Sequence, residues 1–213
     1  MRVTKYSHAC VRIEHDGAVL VIDPGVWSEA EEALDGVDAV LLTHEHADHV
    51  DADRLADALA KRPNATVYTH PAVIGKFAAQ WGGGAATAVH SGQSFVAAGL
   101  PVRAFGGLHA VIHPEIPRVP NLGYLIDEKL YHPGDSFDVP GDATVETLFV
   151  PVAGPWLKLA ESIDFVRAVG PQRVYALHDC LDNERSAGLV DGHLKARAGC
   201  PYERLTPGTA IQV

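Results

Sequence analysis

The stretch Leu42-Thr43-His44-Glu45-His46-Ala47-Asp48-His49-Val50-Asp51 gathers three imidazoles and a carboxylate in the pattern H-x-H-x-D-H. It directly follows the apolar run Ala39-Val40-Leu41-Leu42, which reads as a buried strand. If the chain stays extended just past that strand, side chains at i and i+2 point the same way, so His44 and His46 can reach one metal together. A turn then frees Asp48 and His49 to face a second. Neutral imidazole and carboxylate are ligands that suit zinc, manganese or ferrous iron. Histidine clusters also occur as tags or solvated loops. Four ligand-type side chains between a buried strand and a helical run favour the metal reading.

The elements that would position such a site need a folded core. With 213 residues the chain can bury one sizeable core, and a single domain over 1–213 is expected. The formal net charge of −10 repels a nucleic-acid backbone, so no nucleic-acid partner is expected. Three cysteines, Cys10, Cys180 and Cys200, without a C-x-x-C pair, do not make a disulfide framework and fit a reducing compartment. The N-terminus lacks the apolar segment of a secretory signal, and no apolar stretch approaches the ~20 residues of a membrane-spanning helix. A cytoplasmic protein without a membrane partner is therefore expected. Twelve histidines are present, and several fall at the ends of expected strands, which suits ligands.

Along the chain, Val11-Arg12-Ile13-Glu14-His15 and Ala18-Val19-Leu20-Val21-Ile22 flank Asp16-Gly17, a two-residue hairpin signal, and run into the turn Asp23-Pro24-Gly25. Residues 29–34 read as a short helical turn. Helical spacing over 53–60 stops before Pro63, with Asp51 as its N-cap. A strand over 66–69 precedes a helix over 71–80, which Trp81-Gly82-Gly83-Gly84 closes. Strands over 94–97 and 102–105 lead through Gly106-Gly107-Leu108 to His109, where two glycines let the backbone approach another group. The proline-rich segment 110–120 reads as an irregular loop beside a pocket.

The beginning is then echoed. Tyr124-Leu125-Ile126, Asp127-Glu128, Lys129-Leu130-Tyr131-His132 and Pro133-Gly134-Asp135 repeat the strand, turn, strand and Asp-bearing turn of 11–25. After a helical stretch over 159–169, Arg173-Val174-Tyr175-Ala176-Leu177-His178 repeats the strand-then-His pattern of 39–44. The pattern suggests two α/β halves facing each other, with the site where their strand ends meet.

The H-x-H-x-D-H segment resembles the signature of the metallo-β-lactamase superfamily of metal-dependent hydrolases. Tyr6-Ser7-His8-Ala9-Cys10, the Asp-Gly hairpin and Ile22-Asp23-Pro24-Gly25 are similar to the branch containing L-ascorbate-6-phosphate lactonase-like proteins. The resemblance covers nearly the whole chain and implies an α/β fold, a four-layer αββα sandwich. It also implies a ligand set in which His44, His46 and His109 hold one metal, Asp48, His49 and His178 hold the other, and Asp135 bridges both. Two divalent ions, zinc or else manganese, would lower the pKa of a shared water towards ~7. The resulting hydroxide can attack a carbonyl or a phosphoryl centre, and the ligand set does not choose between them. The chain is shorter than that lactonase and shows no arginine cluster for a phosphate.

The expected function is hydrolysis of a small ester, lactone or phosphodiester, with a small-molecule substrate as partner and a homo-oligomer as a possible assembly. The alternatives are a phosphodiesterase acting on nucleotides or lipid head groups, and a non-catalytic, metal-stabilised scaffold. The catalytic candidates are Asp48, Asp135 and His113, the last as proton donor to a leaving group, with a solvated loop imidazole as its alternative. Asp23 reads as the group that orients a ligand. By resemblance His8 contacts the substrate or a ligand from beneath. Trp156 would form an apolar wall and Lys158 would attract an anionic substrate, against ordinary packing and a solvated lysine. Cys180 reads as a small buried residue, His132 as structural, and His90 and His193 as surface.

Overall fold

A computed structural model describes residues 1–82 and 86–213. Gly83 and Gly84, which the sequence reading sets at the close of the third helix, lie outside the described residues. The first half runs β1 (Arg2–Lys5), β2 (Val11–His15), β3 (Ala18–Ile22), α1 (Ala30–Ala33), β4 (Ala39–Leu41), α2 (Ala52–Lys61), β5 (Thr66–Thr69), α3 (Pro71–Phe77) and β6 (Ala86–Ala88). The second runs β7 (Ser94–Ala97), β8 (Leu100–Leu108), β9 (Pro120–Ile126), β10 (Leu130–His132), β11 (Thr147–Pro151), α4 (Leu159–Val169), β12 (Arg173–Leu177), α5 (Glu184–Arg197), β13 (Tyr202–Glu203) and β14 (Thr209–Gln212).

Strand periodicity sorts these elements into layers. Leu20, Ile22, Ala39 and Leu41 pack with Tyr124, Ile126, Leu130 and Phe149 into one cluster, whereas their neighbours Val19, Val21, Val40 and Leu42 pack with Leu55, Ala58 and Leu59 of α2. Successive residues thus face opposite sides of the sheet, one towards the other sheet and one towards helices. A third cluster places Leu148, Val150 and Ala176 against Ile163 and Val166 of α4 and Leu194 of α5. The result is the expected αββα sandwich. Its two seven-stranded sheets have the orders β14-β1-β2-β3-β4-β5-β6 and β13-β12-β11-β10-β9-β8-β7.

The internal echo is a real structural correspondence. The β2–β3 turn holds Asp16 at φ 49° and Gly17 at φ 81°, and the β9–β10 turn holds Asp127 and Glu128 both at φ 51°. Positive φ at both central residues matches the right-handed twist of the strands they join. In each sheet the hairpin leads into parallel pairs, β3 with β4 and β10 with β11 then β12. The carboxyl ends of these strands therefore point to one edge, the usual position of a ligand site in open α/β sheets.

Differences from the sequence reading have local causes. The third helix stops at Phe77 and not at residue 80. Of the two glycines before His109, Gly106 makes the close approach: at φ +86° a Cβ there would lie 2.8 Å from Asp138 Oδ2, whereas Gly107 has open space. Helix α5 leaves no mark in the sequence pattern, because its buried set is Leu194 alone and it carries no apolar stripe. Strand β14 is recognised only through its pairing with β1, Arg2 opposite Gln212. No helix among the described residues is long and apolar enough to cross a membrane.

The sheets are also joined by polar contacts beside the histidine motif. The fully buried Tyr124 donates its hydroxyl to Leu42 O at 2.9 Å, and Leu122 N donates to Thr43 O at 2.9 Å. Leu42 O also accepts from Thr69 Oγ1 at 2.8 Å. Tyr124→Phe therefore leaves that carbonyl with a partner, and the expected loss is one hydrogen bond, about 1 kcal/mol. Urea titration should show a lower midpoint at unchanged slope. An unchanged midpoint would show that this cross-sheet bond contributes nothing.

Candidate metal centre

The H-x-H-x-D-H segment is the loop from β4 to α2, and three constraints fix its path. His49 N and Val50 N both donate to His46 O at 3.0 Å, which makes the turn between the first and second pairs of ligand-type residues. Asp51 caps α2 by accepting from Arg54 N at 3.0 Å. The Asp23-Pro24-Gly25 turn lies on the loop, with Val26 N donating to Ala47 O at 2.9 Å and Asp51 N to Pro24 O at 2.8 Å. The approach is so close that a Cβ on Gly25 would stand 1.8 Å from Asp48 O, so only glycine fits.

Asp23, fully buried at φ 48°, ties the loop to the end of β3. Its Oδ1 accepts from Thr43 N at 2.8 Å, and its Oδ2 accepts from Thr43 Oγ1 at 2.6 Å and from His49 Nδ1 at 2.7 Å. His49 is thereby held with Nε2 facing inward, the orienting role expected of Asp23. Backbone carbonyls do the same for two other rings. His109 Nδ1 donates to Ala110 O at 2.7 Å and His178 Nδ1 donates to Ala153 O at 2.6 Å, so each presents Nε2. Asn121, which the sequence reading passed over, accepts from Asp135 N at 3.0 Å through Oδ1 and donates to Pro133 O at 2.9 Å.

Two groups result, each with its ligand-type atoms within 4.8 Å of one another: His44, His46, His109 and Asp135, and His8, Asp48, His49 and His178. In the first, His44 Nε2 and His46 Nδ1 are 3.0 Å apart. Asp135 also touches the second, with Oδ1 3.1 Å from His49 Nε2 and Oδ2 3.1 Å from His178 Nε2, and it stands 3.2 Å from His109 Nε2. All seven residues expected as ligands are therefore together, and Asp135 reaches rings of both groups. His49 Nε2, His178 Nε2 and Asp135 Oδ1 are buried without a hydrogen-bond partner. Buried polar atoms are almost always satisfied, so orphaned nitrogens and a carboxylate oxygen converging on one point fit divalent cations.

The electrostatics agree. Burial opposes ionisation of Asp135 and Asp48, yet His49 and His178 around Asp135, and His178 and His8 beside Asp48, hold both carboxyls well below the usual range. Burial and then the neighbouring His49 push His44 well below its ordinary value, and burial and then His109 lower His46. These two rings stay neutral, as ligands must. Burial would also lower His178, but Asp135 and Asp48 overcome it and raise the ring to about 9. Without a metal, a proton there balances the carboxylates.

His8 is fully buried beside these groups and does not line the open cavity. Its Nδ1 accepts from Cys180 N at 3.4 Å, which leaves Nε2–H to donate to Asp48 Oδ2 at 3.0 Å. Its carbonyl accepts from His178 N at 3.0 Å. His8 stands at φ 60° and His178 at φ 57°, a conformation uncommon for non-glycine residues.

Above the centre opens a cavity of about 610 Å³, lined by His46, Asp48, His109, Asp135 and His178 with Trp156 among its apolar walls. The Trp156 ring centroid lies 5.6 Å from that of His109 and 5.7 Å from that of His178. Three expectations are corrected here. His113 is exposed, accepts from Glu115 N at 3.2 Å and does not line the cavity, because the adjacent Ile112 takes the inward position. Lys158 is exposed at the N-cap of α4, where its backbone N donates to Glu161 Oε2 at 2.6 Å, and it too stands outside the lining. Cys180 is exposed and not buried, because the chain has left β12 for the surface loop. His132 is structural as expected, donating through Nε2 to Ala9 O at 2.9 Å. His90 is exposed and His193 half-buried. Trp27 and Leu181, absent from the sequence reading, complete the rim.

Two facing sheets with imidazoles and carboxylates at their carboxyl ends define a metallohydrolase-type sandwich. Residues 2–178 match the family described as "Beta-lactamase superfamily domain", and the chain belongs to the metallo-β-lactamase superfamily of metal-dependent hydrolases. It is 37% identical over 216 residues to Protein Rv0786c of Mycobacterium tuberculosis, covering 99% of each chain. It is 31% identical to a UPF0173 metal-dependent hydrolase of Chelativorans sp., covering 72% of this chain and 71% of that one. The fold is similar to that of Igni18, a metallo hydrolase from Ignicoccus hospitalis, with a TM-score of 0.74 at 17% identity over 99% of this chain and 97% of that one. None of these three is named as an ascorbate-phosphate lactonase, so that branch stays an expectation.

The shifted groups predict how the metal-free protein responds to pH. Folded His178 keeps its proton up to about 9 while the unfolded chain releases it near 6.5, so its stabilisation is complete below 6.5 and is lost as pH rises towards 9. Burial lowers His8 to about 4, so its neutral form resists protonation and stability falls as pH drops from 6.5 towards 4. Urea titrations of chelator-treated protein should show maximal stability near pH 6.5, with an alkaline decline of about 3 kcal/mol. Zinc should abolish that decline by replacing the proton. A flat profile between pH 6.5 and 9 without metal would contradict this account of His178.

Proposed function

We propose that the protein is a hydrolase whose two ligand groups each hold a divalent ion, zinc or alternatively manganese, and that it cleaves a small ester, lactone or phosphodiester. The observation that carries this reading is the convergence of His49 Nε2, His178 Nε2 and Asp135 Oδ1, buried and unpartnered, between the groups. His44, His46 and His109 would hold one ion, Asp48, His49 and His178 the other, and Asp135 both. Bound there, such ions would supply a hydroxide at neutral pH and would polarise the oxygen that gains charge.

The chain's own residues do the rest. Asp23, Ala110 O and Ala153 O fix three imidazoles in the tautomer that turns Nε2 inward. His8 holds Asp48 by a hydrogen bond from the buried side, which fixes that carboxylate's aim towards the cavity. Trp156 covers one side of the centre and limits water there. A scaffold reading fits less well, because a structural zinc site is closed with four ligands, whereas these groups face an open cavity.

Elemental analysis after reconstitution should find close to two metals per chain. Turnover of a lactone and phosphodiester panel should vanish on chelation and return with metal. Asp135→Ala should lower metal content and cut turnover by at least about 100-fold, since even groups that only orient a ligand cost 10–100-fold. One metal or none, with wild-type protein inactive on every panel member, would sink the dinuclear reading.

A further inference from the structure

The cavity over the centre is asymmetric in its chemistry. Apart from the ligand-type side chains, its walls are apolar: Trp27, Ile112, Pro155, Trp156 and Leu181. Trp27 is 46% and Leu181 51% exposed, large apolar surfaces left open at the mouth. They are neighbours, since Cys180 Sγ lies 3.7 Å from Trp27 O, and Trp27 is braced edge-on against the buried His8 ring at 4.9 Å. Apolar surface at the rim of a concave site is what a ligand covers.

No lysine or arginine lines this cavity among the described residues. Three cations on neighbouring segments are committed elsewhere, and Lys158, two residues from Trp156, stands outside the lining. Arg118 donates to the carbonyls of His109 and Leu108. Lys5, buried beneath, donates to Tyr6 O and to Asp179 at 3.4 Å. Arg204 binds Asp182 at 3.0 Å and Asp191 at 2.9 Å. A substrate with an anionic group away from its reacting bond would find no cationic side chain in the lining, and the chain's net charge of −10 would slow its approach.

We propose, resting on the hydrolase reading above, that the substrate is a neutral ester or lactone bearing an apolar substituent, and that this substituent lies against Trp27 and Leu181. Hydrolysis adds water across the acyl C–O bond: the carbonyl carbon gains the hydroxyl oxygen, the C–O bond to the leaving oxygen breaks, and that oxygen takes the proton. No co-reactant is needed. The apolar walls act on binding and leave the bond chemistry unchanged.

Two series separate this inference from the reading beneath it, both on zinc-loaded protein. The first is γ-lactones with 4-alkyl groups from methyl to hexyl, with a lactone of equal length ending in a carboxylate, followed by turnover. The second is the matching γ-lactams as inert probes, followed by calorimetric titration. Lactam affinity and lactone kcat/KM should both rise about two- to four-fold per methylene. The carboxylate-terminated lactone should be at least about ten-fold poorer than its alkyl counterpart. Trp27→Ala and Leu181→Ala should each flatten the chain-length slope. Lactam affinity that is absent or independent of chain length, or a preference for the carboxylate, would overturn the inference. Chain-length-dependent lactam binding by a protein that turns over no lactone, ester or phosphodiester would uphold the apolar wall and refute the hydrolase reading.

Discussion

Asp135 carries the constraint on which the rest of the structure depends: one carboxylate, buried, must face rings from both halves of the site. It does so with His49 and His178 each at 3.1 Å and His109 at 3.2 Å. A carboxylate stripped of water at this depth is costly unless it is paired or coordinated. Its loop is accordingly over-determined. Gly134 adopts φ +63° with its Cα against Thr43 and Asn121, and Asn121 bonds the loop from both sides. The same economy of backbone appears in the other half, where Gly25 lies on Asp48 and Asp23 joins Thr43 to His49.

These clamps explain why the molecule needs two sheets. Each sheet delivers its hairpin and parallel strands to a common edge, and each contributes an Asp-bearing turn there: Asp23 after β3 and Asp135 after β10. The halves use this turn differently. Asp23 faces Thr43 and the outer nitrogen of His49, so it orients, whereas Asp135 faces the inner nitrogens. Polar stitches across the interface, from Tyr124 to Leu42 O and from Leu122 N to Thr43 O, fix the two edges at the motif itself. Small errors in sheet docking would otherwise separate His178 and His109 from the loop carrying His44, His46 and His49.

Much of this was legible in the sequence because it is local. The H-x-H-x-D-H pattern, the Asp-Gly hairpin, its echo at Asp127-Glu128 and the helix over 159–169 are each written in adjacent residues, and the last matches α4 residue for residue. Asp51 as a cap follows from its place before a helical run, and Asp23, just after a strand, reads as the group that orients a ligand. What was missed depends on residues distant in sequence. Asn121 looks like any strand polar residue until Gly134 is folded onto it. Trp27 and Leu181 meet at the cavity mouth although 154 positions separate them. His113 was an attractive proton donor because it stands four residues after His109, but spacing in an irregular loop does not fix direction, and Ile112 points inward. Lys158 was read as a substrate contact where the backbone makes it a helix cap.

Unsatisfied polar atoms meet at one edge of an otherwise well-packed core. His8, Asp23 and His178 hold positive φ there, and orphaned nitrogens face a carboxylate. Those features make sense together if cations complete the centre. The most direct test is diffraction from crystals of the zinc-loaded protein above and below the zinc absorption edge. The account predicts two anomalous peaks, one among His44, His46 and His109 and one among Asp48, His49 and His178, with Asp135 within reach of both. A single peak, or peaks away from these groups, would contradict it.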